Sequence, residues 1–362
     1  MAITLECGYD GANPQDPAAI QRIDERRFRV APFSEDGDAN YKFALNVRAV
    51  NSSSASESLT IDVEWNDLIY IANRGFVYVG QGDEWSFVPA TIDGSVTTAR
   101  LEIPPGVSYV GLSPAYGLAD HQRFVAGLPV SNGFRREVIG HGDQGREIET
   151  FQIGSGSRSI LVIARLHPYE TAASFCAEGL MRWLVSADSE AERLRQDFRF
   201  VVVPMPNPDG VFLGLCKRTG LTGSDLSHEA TDRRDAPARI LMALIEELRP
   251  TGLLDIHGWM HLAEDGVGFV DAGQKDRFVE EIQKHPLFEG NVWLGSNALA
   301  RPNAGNPRLD AFRRFGTRAI DLSYRWPGRN VIQMREIGVE SLRAFCLSTS
   351  GYSRAFGGRA MP

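Results

Sequence analysis

The sequence predicts an α/β protein in two parts: an antiparallel β-sandwich over residues 1–115 and an α/β domain over residues 116–362. Before Pro114, short segments rich in β-branched and aromatic residues are separated by turn residues at intervals typical of a sandwich. After Pro114, apolar runs of strand length alternate with segments of helical periodicity. That alternation predicts a central mixed sheet flanked by helices.

The first part is predicted to consist of short strands. Several of them alternate polar and apolar residues, as strands with one buried face do, and their titratable residues are assigned to the solvated face. The predicted strands are Arg27–Val30, Tyr41–Val50, Ser58–Trp65, Gly75–Val79, Ser86–Val88, Thr97–Ile103 and Val107–Leu112.

The second part is predicted to alternate strands and helices after an initial hairpin. Helices are assigned where apolar residues recur at three- and four-residue spacing, and strands where short apolar runs are rich in β-branched residues. No pattern identifies the structure of residues 286–306. The predicted elements are helix 118–126, a hairpin around 142–145, strand 159–166, a helix after Glu170, strand 198–205, helix 236–248, strand 252–257, helix 276–285, strand 317–324 and helix 330–349.

The composition excludes several functional classes. A net charge of −8 argues against a nucleic-acid or anionic-membrane surface. No apolar run is long enough for a membrane span and the first residues lack a secretory pattern, so a cytoplasmic protein is predicted. The four cysteines have no pairing or metal-binding spacing and are predicted to be reduced and mostly buried. No signal indicates an oligomeric state.

Two histidines come at the ends of predicted strands. His167 ends the first buried strand of the second part, and Pro168 suits the corner that follows, because it cannot continue a ladder but is tolerated near a helix start. Glu170 lies in the first turn of the next helix. His257 ends a later strand and is followed by a glycine. Because ligands bind at the carboxyl ends of strands in such sheets, these side chains can converge.

The three side chains form a candidate metal site. A His–Glu–His set supplies three ligands and leaves a fourth position open, as in catalytic zinc sites, whereas structural zinc sites are closed and usually rich in cysteine. Zinc is therefore the predicted cofactor, with His167, Glu170 and His257 as ligands. Asp255, two residues before His257, is predicted to be a hydrogen-bond partner of a ligand or a separate acid.

Each of these residues also has a structural interpretation. A histidine at a strand end is commonly a hydrogen-bonded corner residue, Glu170 suits the helix dipole, and Asp255 could cap a turn. His261 is a weaker alternative ligand, while His141 and His285 fall in predicted surface turns. The joint placement of the candidate ligands at strand ends favours the metal.

Four motifs in fixed order resemble those of a known family. They are His167-Pro-Tyr-Glu170, Pro206-Asn-Pro-Asp-Gly210, Gly223-Ser-Asp-Leu226 and Asp255-Ile-His257-Gly258. Their order is similar to that in the zinc metallocarboxypeptidases. The all-β first part most resembles the cytosolic carboxypeptidase-like branch, which carries an N-terminal β-sandwich.

The resemblance covers nearly the whole chain and implies roles for individual residues. His167, Glu170 and His257 would hold zinc. Arg218 matches the arginine that polarises the scissile carbonyl and stabilises its developing oxyanion, since a fixed guanidinium in a dry site lowers that barrier. The alternative for Arg218 is a solvated loop charge.

The chain departs from the family pattern at the substrate clamp. Leu226 is followed by Ser227 and His228, where the family has an Asn–Arg pair that grips the terminal carboxylate of the substrate. A permanent forked cation is thus replaced by a side chain that is only partly charged near neutral pH. Ser227 and His228 are the expected substrate-binding residues, and four arginines could supply the missing charge. They are Arg233, Arg234, Arg301 and Arg325.

The second departure concerns the general base. Asp321 takes the position at which the family places a glutamate in a late strand, and it is one methylene shorter. An aspartate inside an apolar strand is costly without a partner, so Asp321 is expected to be the base, a substrate contact or a hydrogen-bonded structural carboxylate. Glu336 and Glu340 are excluded as the base because they lie with Arg343 on an exposed helix face.

The expected function is zinc-dependent hydrolysis of a peptide or small amide substrate, with Asp321 as base and Arg218 as oxyanion partner. Two alternatives stay open. The altered clamp could select substrates without a free terminal carboxylate, or the two altered positions could mark a catalytically degenerate protein that binds peptides.

Overall fold

The computed structural model describes residues 3–35, 43–65, 68–129, 134–300 and 305–349. The first part contains ten strands. They are β1 (Ile3–Glu6), β2 (Ile20–Arg22), β3 (Arg27–Val30), β4 (Asn46–Asn51), β5 (Glu57–Glu64), β6 (Phe76–Gln81), β7 (Glu84–Pro89), β8 (Thr91–Asp93), β9 (Val96–Ile103) and β10 (Gly106–Gly111).

These strands form two packed five-stranded sheets, with orders β1–β4–β10–β6–β7 and β2–β3–β5–β9–β8. The predicted sandwich is confirmed. Strand β9 shows why it forms, since Ala99, Leu101 and Ile103 point into the core while Arg100 and Glu102 face solvent. All the pairings are antiparallel except the parallel pair β3–β5. The short strands β1, β2 and β8 were not predicted. The predicted strand 41–50 begins at residue 46, and residues 41 and 42 lie outside the described residues.

The second part is built on one eight-stranded mixed sheet of order β11–β12–β14–β13–β15–β18–β16–β17. Strands β14, β13, β15 and β18 run parallel to one another, and the outer pairings β11–β12, β12–β14 and β18–β16 are antiparallel. The strands are β11 (Arg135–His141), β12 (Glu147–Ile153), β13 (Arg158–Ala164), β14 (Phe198–Val203), β15 (Gly252–Trp259), β16 (Glu264–Phe269), β17 (Val292–Asn297) and β18 (Arg318–Arg325).

Helices cover both faces of this sheet, as predicted. Helices α2, α6 and α8 contribute to one apolar cluster and α5 and α7 to another. Helices α2 and α8 approach very closely, because a Cβ atom at Gly179 would lie 1.9 Å from the carbonyl oxygen of Arg335. The helices are α1 (Leu118–Ala126), α2 (Thr171–Leu184), α3 (Ser189–Asp197), α4 (Pro208–Phe212), α5 (Ala236–Leu248), α6 (Ala272–Ile282), α7 (Pro307–Phe315) and α8 (Val331–Ser348).

The two parts share one buried apolar cluster. It runs from the sandwich, for example Trp65 and Tyr78, to Phe175 of α2 and Trp326 beyond β18. The rings of Tyr78 and Trp326 are in edge contact, with centroids 6.2 Å apart. The sandwich therefore packs on the α2 and α8 face of the mixed sheet through its apolar core.

Five elements of the second part were not predicted: strands β16 and β17 and helices α3, α4 and α7. Of these, β17 lies within residues 286–306, for which no pattern was found. Strands β16 and β17 form the edge of the mixed sheet, and most of β17 is exposed, so it lacks an apolar run. Helix α7 begins after Asn306, whose side chain caps it, with Pro307 in its first turn. In the described part of the chain, no helix is both long and apolar enough to cross a membrane.

Candidate metal centre

The corner between β13 and α2 is held by a buried arginine. Arg165, directly after β13, has a φ of 63° in the left-handed region. Its guanidinium donates to the carbonyl oxygen of Pro168 at 2.7 Å, to Ser174 Oγ at 2.8 Å and to the carbonyl oxygen of Tyr116 at 3.1 Å. These bonds tie the strand end to the first turn of α2. His167 and Glu170 are therefore presented on a fixed corner.

The mixed sheet divides at this corner. Strand β14 lies on one side of β13 and β15 on the other, which makes the carboxyl end of β13 a topological switch point, where such sheets bind ligands. His257 on β15 emerges at the same edge, since Ile256 pairs with Ala164. Gly258 allows the close approach, because a Cβ atom there would lie 3.1 Å from Glu170 Cα.

The three predicted ligands come together in the structure. Glu170 Oε1 lies 2.8 Å from His167 Nδ1, and Glu170 Oε2 lies 2.7 Å from His257 Nδ1. All three side chains are buried, and one ligand atom from each lies within 4.8 Å of the others. Each of the two imidazoles thus faces the Glu170 carboxylate with its Nδ1 atom.

A second carboxylate holds the far side of each imidazole. His167 Nε2 lies 3.1 Å from Asp225 Oδ1, and His257 Nε2 lies 3.1 Å from Asp255 Oδ2. When Nε2–H donates to these carboxylates, Nδ1 keeps its lone pair, and the ring orientation is fixed for a metal. Asp255 is thus the partner of a candidate ligand. Asp225 was quoted in a motif but given no role, because its contact with His167 spans 58 residues.

The carboxylates of the centre stay ionised. Burial alone raises the pKa of Glu170, but the charges of His167 and His257 outweigh it and hold that pKa far below its usual range. Burial also raises the pKa of Asp225, and the neighbouring His167 outweighs it so that the pKa is lowered. The pKa of Asp255 is lowered in the same way by His257 and Arg308 against the effect of burial.

The donor set fits a divalent cation. Glu170, Asp225 and Asp255 carry three negative charges and Arg308 one positive charge. Without a metal, protonated His167 and His257 balance this charge, because burial, which lowers the pKa of both rings, is outweighed by the neighbouring carboxylates, which raise it. A metal binds neutral imidazoles, and the charge of −2 that then remains in the buried site matches one divalent cation. Buried charge of this kind needs a compensating partner. Two imidazoles and one carboxylate, with no cysteine in the group, match a three-ligand catalytic zinc site.

Arg308 is a functional candidate that the sequence analysis missed. Its guanidinium, 6% exposed, donates from Nη1 to Asp255 Oδ2 at 2.7 Å and from Nη2 to Ser227 Oγ at 3.2 Å. Nη1 also lies 3.2 Å from His257 Nε2, and both nitrogens share the Asp255 carboxylate as acceptor. The Asn306–Pro307 cap preceding it was the available signal for helix α7.

Asp321 lies beside this centre and outside the ligand group. In the register of β15 and β18, Asp321 lies beside Asp255, whereas Ser323 lies beside the candidate ligand His257. Asp321 is therefore two residues further from the carboxyl end of the sheet than His257. Its carboxylate lies 3.7 Å from Arg308 Nη1 and its side chain is 24% exposed. Gly268 on the facing strand makes room, since a Cβ atom there would lie 1.8 Å from Asp321 Oδ1.

Ser227 and His228 both line the cavity over the metal centre. Ser227 is buried and accepts the bond from Arg308. The His228 ring is 45% exposed, its Nδ1 lies 3.3 Å from Asp225, and it stacks near His167 with ring centroids 6.1 Å apart. His167, Asp225 and His228 form a second group with metal-ligand spacing, which shares His167 and Asp225 with the centre already described.

The structure places Arg218 differently from the family pattern. Its Nη1 donates to the carbonyl oxygen of Gly223 at 2.8 Å and lies 3.4 Å from Glu229 Oε2. Among the described residues, Lys217 and Arg308 are the lysine and arginine side chains that line the cavity. Sequence reasoning missed Lys217, because no motif singles it out from its neighbour.

The other candidate residues that the structure describes lie outside the ligand group. Arg233 pairs with Glu246, Arg234 with Asp232, and Arg325 donates to the carbonyl oxygen of Pro327; Arg301 lies outside the described residues. His261 lines the cavity but pairs with Glu264, outside the ligand group. His285 pairs with Glu336, which is 48% exposed, and Glu340 pairs with Arg343. The side chains of Glu340 and Arg343 are only 13% and 24% exposed, so the expected exposed face is partly covered.

The Asn-Pro-Asp-Gly motif braces the loops around the site. Asn207 Nδ2 donates at 3.1 Å to the carbonyl oxygens of Leu166 and Arg218. It therefore joins the residue before His167 to the loop that carries Lys217 and Arg218. Asp209 accepts from Arg146 Nη1 at 2.8 Å and holds the hairpin β11–β12.

A cavity of about 320 Å³ opens over the centre. Its walls come from the strand ends of the mixed sheet and from the loop after β14, and its far side is formed by β16 and β17. Glu170 and Asp321 are the carboxylates among the described residues that line it. The cavity can therefore hold a small substrate group between the candidate metal ligands and Asp321.

Comparisons with known proteins agree with this arrangement. Residues 130–228 match the zinc carboxypeptidase family. The match includes His167, Glu170 and the Asn-Pro-Asp-Gly motif but ends before His257. The family resemblance expected from the four motifs is thereby confirmed.

Relatives and solved structures extend the comparison. An uncharacterised protein of Zymomonas mobilis is 28% identical over 60% of this chain and 64% of its own length. Mouse cytosolic carboxypeptidase 6 is 37% identical over 27% of this chain and 20% of its own length. This chain thus spans less than two thirds of either relative. A metallo-carboxypeptidase from Burkholderia cenocepacia has the same fold, with a TM-score of 0.80 at 17% identity over 96% of this chain and 99% of that chain.

Proposed function

We propose that this chain is a zinc-dependent hydrolase of peptide or amide bonds of the metallocarboxypeptidase type, acting in the cytoplasm. Its sandwich would comprise residues 1–115 and its catalytic part residues 116–362. One observation carries the proposal. The Nδ1 atoms of His167 and His257 both contact the buried carboxylate of Glu170. An aspartate contacts the Nε2 atom on the other side of each ring. The family match over residues 130–228 supports it.

His167, Glu170 and His257 would hold the zinc. When bound, the metal would activate water and polarise the scissile carbonyl. Asp321 is proposed as the proton acceptor, because it is the cavity-lining carboxylate outside the ligand group in the described chain. Arg218 is proposed as the oxyanion partner, which requires its side chain to turn from Glu229 toward the cavity.

Ser227 and His228 are proposed to contact the substrate from the cavity wall. His228 stands where the family has an arginine that binds the terminal carboxylate of the substrate. Lys217 and Arg308 line the cavity and can supply that positive charge instead. A substrate with a free terminal carboxylate is therefore favoured over one without it. The proposed substrate is a short peptide or a small N-acyl amino acid.

Turnover of matched peptides tests this function. With one equivalent of zinc, we expect a peptide with a free carboxylate to be cleaved with a kcat/KM about 10- to 150-fold above that of its amidated form, because a hydrogen bond to a charged group contributes about 1.5–3 kcal/mol. His167→Ala should show no zinc-dependent turnover. Equal rates on both peptides would favour substrates without a free carboxylate, and tight binding without turnover would favour a degenerate binding protein.

The role of Asp321 is tested by Asp321→Asn. If Asp321 accepts the proton, kcat should fall by about 10²–10⁴-fold with zinc content unchanged. Asp310→Asn is the matched control, because Asp310 is an α7 carboxylate paired with Arg314 at 3.2 Å. A higher KM with normal kcat would assign Asp321 to substrate contact, and unaltered kinetics would leave it a structural role.

A further inference from the structure

One carboxylate of the sandwich reaches into the catalytic part and binds three consecutive backbone amides. Glu35 Oε2 accepts from the amide of Cys216 at 2.9 Å, and Oε1 accepts from those of Lys217 at 2.5 Å and Arg218 at 2.9 Å. Glu35 is 9% exposed. Successive N–H groups that point at one anion form a nest, which binds negative charge strongly.

The loop held in this way lies against the candidate metal centre. The amide of Tyr169, next to Glu170, donates to the carbonyl oxygen of Cys216 at 3.4 Å. Asn207 donates to the carbonyl oxygen of Arg218 and also to that of Leu166, next to His167. The carbonyl of Cys216 is therefore bound to the metal corner directly and that of Arg218 through Asn207, while the three amides are bound to Glu35.

This loop carries two cations that the proposed function uses. Lys217 lines the cavity, and Arg218 is the proposed oxyanion partner. The backbone amides of both residues donate to Glu35, which fixes the backbone that carries the two side chains. A shift of the loop would displace both cations relative to a substrate carbonyl.

We propose that Glu35 is a positioning residue, through which the sandwich fixes the 216–218 loop and so sets the placement of Lys217 and Arg218 over the metal centre. The proposal rests on the proposed function for its effect on catalysis, but not for its effect on the loop. It gives the sandwich a defined part in the active site, although Glu35 itself does not touch the substrate.

Amide hydrogen exchange of the 216–218 segment tests the loop directly. In Glu35→Ala the three amides lose their acceptor, so their exchange should accelerate at least roughly tenfold, because local opening no longer breaks these bonds. Glu35→Gln keeps the size of the side chain but loses the charge, and should give a smaller acceleration in a folded protein. Unchanged exchange in both variants would overturn the proposal, whether or not the protein hydrolyses peptides.

Steady-state kinetics tests the effect on catalysis. Both variants should bind one zinc per chain. In Glu35→Ala, kcat should fall by up to about 10²-fold, as misplacement of a positioned group by about 1 Å can do. KM for the peptide with a free carboxylate should rise as well, because Lys217 is displaced together with Arg218. Added formate or acetate should restore part of that kcat. A normal kcat, or no rescue by either anion, would contradict a positioning role.

The matched control is Asp83→Asn. Asp83 is another sandwich carboxylate that bridges to the second part, where Arg335 donates to it at 2.6 and 2.9 Å, but it contacts no residue of the loop. This variant should leave exchange at 216–218 and kcat unchanged. Equal losses in Asp83→Asn and Glu35→Ala would instead indicate general loosening between the two parts.

Discussion

Glu170→Gln is expected to release the metal and abolish hydrolysis. Both candidate imidazole ligands face this carboxylate, at 2.8 and 2.7 Å, and no other carboxylate of the described ligand group lies between their Nδ1 atoms. Glutamine keeps the size of the side chain but removes the charge, and its amide nitrogen is not a ligand. The site would keep two imidazoles, which is too few for a zinc site of this class.

Zinc content per chain after dialysis measures this effect, together with competition against a chelator of known affinity. The decrease in zinc affinity should exceed the roughly 10–100-fold that is typical when a residue hydrogen-bonded to a metal ligand is removed. Asp225→Asn provides that comparison, because Asp225 holds His167 from behind. Zinc should also raise the unfolding temperature of the wild type and not that of Glu170→Gln. Stoichiometric zinc in the Glu170→Gln protein would place the metal elsewhere.

Arg308→Met is expected to destabilise the fold by about 3–5 kcal/mol, because it leaves a buried carboxylate without its partner. Asp255 is fully buried, and Arg308 Nη1 is its 2.7 Å donor. Methionine fills much of the volume but supplies no charge. Asp255 would also lose the donor that holds it behind His257, so the ring would be oriented less firmly and zinc affinity should fall by about 10–100-fold as well.

Urea unfolding and zinc competition measure the two effects. Arg314→Met is the matched control on the same helix, since Arg314 is 42% exposed and pairs with Glu246 and Asp310. Exposed ion pairs contribute about 0–1 kcal/mol, so this control should stay within that range. Equal destabilisation by the two substitutions would show that Asp255 does not depend on Arg308.

The sequence was informative where the chemistry is local. His167 and Glu170 are three residues apart on one corner, and His257 ends a strand, so each could be found from a strand end without knowledge of distant contacts. Their convergence followed from the general rule that ligand sites lie at the carboxyl ends of parallel strands. The sandwich of the first part was predicted from strand composition and turn spacing, and the sheet of the second from the alternation of strands with helices.

Long-range contacts limited the rest. Glu35 reaches its loop across 181 residues and Arg308 reaches Asp255 across 53, and neither stands out by its own neighbours in sequence. The position of Asp321 relative to His257 depends on the register of β15 and β18, which periodicity does not give. Strands β16 and β17 were missed because Gly266 and Gly268 interrupt one and the other is mostly exposed.

The apolar cluster shared by the sandwich and the α2–α8 face couples the unfolding of the two parts. Interfaces between loosely joined modules are usually polar and allow relative motion, whereas a wide apolar contact makes the neighbours cooperate in folding. A chain shortened to the second part would expose Phe175 and Trp326 of this cluster to water. The two parts are therefore expected to unfold in one cooperative transition, in which a substitution in the shared cluster on either side destabilises both.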